Sequence, residues 1–262
     1  MKENTENANN GRRKFMVGAG SLAAGLALAR FMDMASSAQA SETTAKKWPW
    51  PYVKLDPATT AELAYKEWYR VFCGAAVINS IFSQLAEKVG EPYKSFPADA
   101  FIFLEGGMAG FGTVCGSIAG ANVASNLIVG PRIAGTQDGA LMGADIFDWY
   151  AETAMPVFTP KSPKITTKIV QTTSNSPLCH ISVGRWMKAA DKPLGSAERK
   201  DRCARVAASV AYHLVEKLNL WHEGKFAATG DISCAKEHGI TGQRNCTDCH
   251  GDNVPTPPRA KK

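Results

Sequence analysis

Residues 246–250, with the sequence CTDCH, are the part of the chain whose residue types and spacing most directly predict chemistry. Cys246 and Cys249 are separated by two residues, and His250 follows the second cysteine. In a CxxCH pentapeptide the two thiols add to the vinyl groups of a haem, and the adjacent imidazole binds the iron as an axial ligand. A zinc ribbon would need a second cysteine pair, and a thioredoxin-like site would need a βαβ unit that this end of the chain lacks. The motif therefore predicts covalently bound haem c.

The N-terminal segment predicts export through the twin-arginine route. A twin-arginine pair lies at 12–13, a weakly apolar stretch at 17–29 and an A-x-A cleavage site at 38–40. The apolar stretch is too short to be a stable membrane span. We therefore interpret residues 1–40 as a signal peptide and expect a periplasmic protein that begins near Ser41.

The export route and the haem motif together predict a second cofactor. The twin-arginine route carries folded proteins, usually because a cofactor was inserted in the cytoplasm. Haem c, in contrast, is attached after export to thiols that must be reachable. A chain that needs both should have a folded domain with its own cofactor and an open haem-binding tail.

Charge and cysteine content narrow the function further. The leader accounts for +2 of the formal net charge of +6, so the exported part has about +4. This mild basicity suits docking to an acidic redox protein and gives no argument for nucleic acid. Removing the haem pair leaves five of the seven cysteines. An odd number pairs poorly into disulfides, so cofactor ligation is the better interpretation.

Hydrophobic periodicity predicts a mainly α protein with four helices. Gly, Ala and Ser are dense in the second helix, where they would let another helix or a cofactor approach the backbone closely. The predicted ranges are 61–89, after an N-cap at Asp56 and proline at the first helical position; 111–129; 140–154; and 196–218, with Ser196 as N-cap. The apolar face of the first helix is predicted to contain Leu63, Trp68, Phe72, Val77, Ile81 and Leu85.

The remaining segments are predicted to be irregular. Residues 156–177 are rich in Pro, Ser and Thr, and from Gly224 onward Gly, Asp, Asn and Pro dominate, as in small tails that wrap a haem. We therefore expect a helical four-cysteine domain at 41–223, followed by a haem-binding tail at 224–262.

Four further cysteines, Cys73, Cys115, Cys179 and Cys203, are scattered over the helical body. Each taken singly is compatible with a small buried residue. Glycine follows two of them, which frees backbone N–H groups to reach a cluster sulfide. Four thiolates that converge in a pocket of small residues would suit a [2Fe–2S] or other non-haem iron centre, although their spacing matches no ferredoxin signature.

Cys234 begins the segment CAKEH, which has the outline of CxxCH with glutamate in place of the second cysteine. One interpretation is a second haem held by a single thioether, with His238 as its axial ligand. Another is a degenerate site whose His238 is the distal ligand of the haem on Cys246 and Cys249. The third is a bystander cysteine beside a solvated histidine.

These features together resemble the split-Soret cytochromes c of anaerobic sulfate-reducing bacteria. The body resembles the wider family of redox proteins named for a C-GCAxxG-C-C pattern, with Cys73, Cys115, Cys179 and Cys203 at the cysteine positions. The first motif lacks the usual doubled cysteine. The resemblance implies a periplasmic homodimer with closely stacked, bis-histidine, low-spin haems and a non-haem iron cluster. That family is described as dihaem, whereas this chain has one intact CxxCH.

Five histidines limit the possible iron ligands. His250 is predicted to be the proximal haem ligand and His238 the distal ligand, with His222 as the next candidate. His213 lies among apolar neighbours and is expected to be a satisfied core histidine. His180 adjoins Cys179 and is expected to ligate the iron centre or to support its ligands. Two imidazoles would give a low-potential, saturated haem iron suited to electron transfer.

The sequence therefore predicts a periplasmic electron carrier with no catalytic residues, which exchanges electrons with other redox proteins. It is not expected to bind nucleic acid or to span the membrane once its leader is removed. The alternative is a periplasmic small-molecule reductase that uses an open haem or non-haem iron site. Ligand saturation separates the two, because an iron with two histidine ligands has no vacant position for a substrate.

Overall fold

The computed structural model describes residues 48–130, 136–230, 232 and 251, and its helices confirm the mainly α prediction. The helices are α1 (Pro57–Lys88), α2 (Gly116–Ile128), α3 (Asp138–Glu152), α4 (Cys179–Ala190) and α5 (Ala197–His222). Two 3₁₀ turns, Tyr93–Ser95 and Ala98–Leu104, connect α1 to α2. Strands β1 (Ala154–Met155) and β2 (Thr172–Thr173) form a short antiparallel pair, with Ala154 opposite Thr173.

Two helix starts follow from side chains that cap them. The Asp56 carboxylate accepts a hydrogen bond from the Thr59 amide at 2.7 Å, and Pro57 occupies the first turn of α1. Ser196 accepts from the Arg199 amide at 3.2 Å at the start of α5. Both predicted N-caps are confirmed.

The core lies between α1 and α5, which form the most extensive helix–helix interface in the described chain. α2 packs against both helices, and α3 packs against α2 and α5. The buried faces of α1 and α5 are rich in alanine, including Ala61 and Ala64 on α1 and Ala204 and Ala208 on α5, all fully buried. Small side chains let the helix axes approach closely, so the interface is close-packed with little side-chain volume.

Glycines bring α2 unusually close to α1. A Cβ atom on Gly120 would lie 2.3 Å from the carbonyl oxygen of Gly74, and one on Gly116 would lie 1.6 Å from that of Leu104. Neither position has room for a side chain. The small residues predicted for the second helix therefore serve close contact between helices.

The structure departs from the predicted elements in several places. Residues 111–115 are not helical, because a glycine-rich loop at 106–112 with several positive φ angles precedes α2. The third helix ends at Glu152 because the chain enters β1 at Ala154. α4 was not predicted at all. Within the described residues, no helix has both the length and the apolar composition needed to cross a bilayer.

Candidate metal centre

The four body cysteines lie on or at the ends of four different helices and come together in space. Cys179 interacts electrostatically with Cys73, Cys115 and Cys203, and Cys73 interacts with Cys115 and Cys203. Each thiol is free of disulfide bonding. The structure therefore places these four cysteines near one another, and their role as ligands of one centre stays a prediction.

Three of these thiols stand where a helix begins or resumes. Cys115 is the N-cap of α2, Cys179 is the first residue of α4, and Cys73 is the first residue after a break in α1. The unpaired N–H groups and the positive end of the macrodipole at a helix start favour a negatively charged sulfur. Local helix geometry thus suits thiolate ligands.

The break in α1 is caused by Phe72, whose φ of +59° and ψ of −162° lie outside the helical region. Such a conformation is strained for a residue with a side chain and persists only where the surroundings enforce it. It also turns the Phe72 ring outward, to 40% exposure. The prediction that Phe72 belongs to the apolar face of a continuous helix is therefore wrong, and the break sets the direction of Cys73.

Backbone pairing places Cys115 beside Cys179. The Cys115 amide donates to the Pro177 carbonyl at 2.9 Å, and the Cys179 amide donates to the Thr113 carbonyl at 2.7 Å. An isolated bridge between Val114 and Leu178 completes this antiparallel contact. Two segments far apart in sequence are thereby held in register at the two thiols.

Burial and mutual repulsion oppose ionisation of the Cys73 and Cys179 thiols in the metal-free protein. Burial, followed by the charges of Cys115 and Cys203, raises the pKa of Cys73 to about 12. Burial and the other three thiols also raise the pKa of Cys179. A bound metal reverses this balance because it displaces the protons. Trp68 Nε1 already donates to Cys73 Sγ at 3.4 Å, and the Gly106 amide does so too.

Arg202 provides a test of whether a negatively charged group fits this pocket. Its side chain is 1% exposed, and Nη1 lies 3.9 Å from Cys203 Sγ. Nη2 donates to Ser182 Oγ at 2.8 Å, whereas Nε has no hydrogen-bond partner. No carboxylate pairs with Arg202 in the described part of the chain. A buried cation without a counter-ion is costly, so a cluster with anionic thiolates fits the residues present.

Tyr150 supports the same conclusion. Burial, followed by the charge of Cys115, raises the pKa of its phenol well above the ordinary value. The hydroxyl lies beside Cys115 but makes no hydrogen bond of ordinary geometry. The pocket thus contains two buried polar atoms, Arg202 Nε and the Tyr150 hydroxyl oxygen, that make no hydrogen bond in the described structure.

A cavity of about 600 Å³ opens beside the thiols. Cys73, Cys179 and Cys203 line it together with aromatic side chains, among them Trp68 and Phe72. Among the described residues, no three His, Cys, Asp or Glu side chains are arranged to hold one metal ion.

His180 lies at the edge of this cavity and is exposed. Its Nδ1 is 2.8 Å from the Gly112 carbonyl oxygen, which suits an Nδ1–H donor. That tautomer leaves Nε2 available as a ligand or as a hydrogen-bond acceptor. The expectation that His180 belongs near the iron centre agrees with this position, and its role stays a prediction.

The predicted haem-binding residues Cys246, Cys249, His250, His238 and Cys234 lie outside the described residues. His222 is the last residue of α5, exposed, with its ring against Tyr52 at 5.7 Å. Within the first residues of the tail, the amides of Thr229 and Gly230 donate to the buried Asp145 carboxylate, which also pairs with Lys217.

His213 stacks on Trp149, with ring centroids 4.0 Å apart and planes 6° from parallel. The ring is largely buried, as expected, but Nε2 has no hydrogen-bond partner in the described chain. The prediction of a satisfied core histidine is therefore wrong in that respect. Burial, followed by the charge of Lys217, lowers the pKa of His213 to about 4.

Sequence reasoning missed the residues that surround the thiols, chiefly Arg202, Tyr150, Ser182 and Trp68. Only Arg202 had a signal, since it directly precedes Cys203. The others reach the pocket from α1, α3 and α4, so their proximity follows from helix packing.

Comparison with known proteins agrees with these observations. Residues 72–218 match the model of the redox-active protein family C_GCAxxG_C_C. The chain is 30% identical to the split-Soret cytochrome c of Desulfovibrio desulfuricans, over 95% of this chain and 97% of that protein. It also resembles the solved structure described as "A novel iron centre in the split-Soret cytochrome c from Desulfovibrio desulfuricans ATCC 27774". The TM-score is 0.68 and the identity 29%, covering 79% of this chain and 93% of that one.

Proposed function

Because the chain belongs to the C_GCAxxG_C_C family and is a homologue of the split-Soret cytochromes c, we propose that it is a periplasmic electron-transfer cytochrome c. It carries haem c in its C-terminal tail and a non-haem iron centre in its helical body. The similar solved protein is described by its iron centre, and the four thiols that meet here offer ligands for one.

The observation that carries this proposal is the buried guanidinium of Arg202, which faces the thiols and has no carboxylate partner. Cys73, Cys115, Cys179 and Cys203 would hold the iron centre, most simply a [2Fe–2S] cluster. The cavity beside three of them is wider than a single ion needs. An iron–sulfur cluster and haem c both supply one-electron oxidation and reduction when bound.

The chain's own residues prepare this site for electron transfer. Trp68 and the Gly106 amide donate hydrogen bonds to Cys73 and so favour its anionic form. Apolar side chains exclude water from the buried side, where Cys115 is 6% exposed. The cavity leaves the opposite side accessible to a redox partner.

In the tail, Cys246 and Cys249 would hold the haem and His250 would bind its iron, with His238 as the distal ligand and His222 as the next candidate. The twin-arginine leader supports loading of the body before export and haem attachment after it. A second copy of the chain, with haems stacked across the dimer, and other redox proteins are the proposed partners.

The iron centre is tested by replacing Cys115 or Cys203 with serine. Non-haem iron and acid-labile sulfide should fall to near zero per subunit while covalent haem stays unchanged, since the two sites mature separately. Cys234→Ser is the matched control and should keep the non-haem iron. Full iron and sulfide in the Cys115 and Cys203 variants would return these cysteines to a structural role.

The haem ligands are tested by three tail variants. His250→Ala should remove the low-spin spectrum because it breaks the proximal bond. His238→Ala should give high-spin or water-ligated iron that binds carbon monoxide when reduced, whereas Cys234→Ala should leave mass and spectrum unchanged. An intact mass with two covalent haems per subunit would instead assign Cys234 to a second haem. A His238→Ala protein that stays low-spin would transfer the distal role to His222 or to the partner subunit.

The second candidate function is a small-molecule reductase, and the 600 Å³ cavity beside the thiols favours it. The reduced protein would then bind carbon monoxide or nitric oxide at its non-haem iron and turn over a small acceptor. Reduced protein that binds neither gas at that centre supports the electron carrier.

A further inference from the structure

Two features distinguish Arg202 from an ordinary buried arginine. Its guanidinium is oriented by Ser182 Oγ, which is itself 1% exposed, so the charge has a defined direction toward Cys203. Its Nε–H remains without an acceptor. The guanidinium stays protonated and contributes a fixed positive charge.

The groups that face this charge are the sulfurs and the phenol of Tyr150. No carboxylate is among the groups that contact it in the described residues. The apo chain therefore encloses a cation that is poorly compensated. A cluster with thiolate ligands would supply the missing negative charge, and each electron added to it would be attracted by the guanidinium.

We propose that Arg202 is the built-in counter-ion of the iron centre and the residue that sets its reduction potential, a role that rests on the proposed function. It acts through the sulfur ligands of the centre, so it is a positioning residue. Its fixed charge stabilises the reduced state over the oxidised state, and no proton needs to accompany the electron.

The first test is the midpoint potential of the non-haem centre, measured by redox titration with electron paramagnetic resonance. Arg202→Met should shift the redox equilibrium at least tenfold toward the oxidised form, equivalent to 59 mV lower for a one-electron couple. Arg202→Lys should shift it less than threefold. Arg199→Met is the matched control, because Arg199 lies on the same helix and lines the same cavity but is not buried. Its shift should also stay below threefold.

The second test compares unfolding of the metal-free and iron-loaded proteins. Arg202→Met should raise the unfolding midpoint of the metal-free protein and lower that of the loaded protein, because the charge is uncompensated in one and paired in the other. Arg205→Met, which removes the neighbouring buried arginine that pairs with Asp201, should lower both. A residue with a merely structural role would also lower both. Arg202→Gln removes the charge but keeps a donor toward Ser182, and it replaces the Met variant in both tests if that variant does not fold.

The outcomes separate the two proposals. A wild-type protein without non-haem iron overturns the proposed function. A wild-type protein with full iron overturns the role of Arg202 if the neutral variants keep its potential within threefold. Equal destabilisation of the metal-free and loaded forms in those variants would have the same consequence.

Discussion

Arg202 and Arg205 lie about one turn apart on α5, at 1% and 5% exposure, and meet opposite environments. Arg205 Nε donates to the Asp201 carboxylate at 2.7 Å, and Nη2 donates to the Ile165 carbonyl. Tyr65 and Tyr69 donate to the other oxygen of Asp201, and Tyr65 accepts from the Lys164 amide. Arg202, in contrast, donates a hydrogen bond to the Ser182 hydroxyl and lies beside the Cys203 sulfur, and its Nε has no hydrogen-bond partner.

The difference shows which buried charges the fold itself compensates. Around Arg205 the chain supplies a carboxylate and satisfies it with further hydrogen bonds, as a buried ion pair requires. Around Arg202 the chain instead supplies the thiols of Cys203, Cys115 and Cys179. The first region is complete in the apo protein, whereas the second suits a group that the chain does not encode.

The largest expected effect comes from breaking the complete region. Asp201→Ala would leave Arg205 buried without a counter-ion and Tyr65 and Tyr69 without their acceptor. We expect a loss of about 3–5 kcal/mol in the free energy of unfolding, measured with urea, in metal-free and loaded protein alike. The exposed Arg70–Asp99 pair is the control, and Asp99→Ala should cost at most about 1 kcal/mol. Equal costs at the two sites would contradict the comparison.

His213 extends the comparison to a buried side chain whose Nε2 has no hydrogen-bond partner but which is uncharged at neutral pH. The unfolded chain binds a proton near pH 6.5, whereas the folded chain takes it up only near pH 4. The unfolded state therefore holds more protons between these values, so stability is highest above pH 6.5 and falls as the pH drops toward 4. The loss should reach up to about 3 kcal/mol, measured by urea unfolding across this range.

His213→Gln is the control for this pH dependence, since glutamine does not titrate. Its unfolding free energy should change less than that of the wild type between pH 7 and pH 4. The same slope in both proteins would assign the acid sensitivity to other groups.

The Gly120→Ala variant tests whether side chains near the thiols are loosely packed, in addition to the missing counter-ion there. The added Cβ would lie 2.3 Å from the Gly74 carbonyl oxygen, one residue from Cys73, so α1 and α2 would have to separate. We expect a loss of about 1–3 kcal/mol in unfolding free energy. Gly184→Ala is the matched control, because that site in α4 is open and should gain up to about 1 kcal/mol. A neutral Gly120→Ala would mean that the packing near the thiols is loose.

The smallest expected changes in the free energy of unfolding come from removing the hydroxyl groups of two tyrosines. Tyr69→Phe removes a hydroxyl that donates to Asp201 at 3.0 Å and should cost about 1 kcal/mol in urea unfolding. Tyr150→Phe removes a buried hydroxyl without a partner, so metal-free protein should change by less than about 0.5 kcal/mol. A Tyr150→Phe variant that costs as much as Tyr69→Phe in metal-free protein would show that Tyr150 already has a partner there.

Sequence patterns were sufficient for the elements whose signals are local. The caps at Asp56 and Ser196 and the helical class depend on residues within a few positions of each other. The break at Phe72 and helix α4 were missed because neither has a strong local signal. Tertiary contacts impose the first, and the amphipathic pattern of the second is short.

The sequence by itself predicted which residues could do chemistry: a CTDCH segment typical of haem attachment, an N-terminal segment typical of a twin-arginine leader and four scattered thiols. Only the tertiary structure decided that these four thiols meet, and that Arg202, Tyr150 and Ser182 surround them. The physical reason is that residue type and spacing act along the chain, whereas burial and charge compensation depend on helices packed from distant segments. Arg202 and Arg205 are both buried arginines on α5, and they differ only in the residues that pack around them.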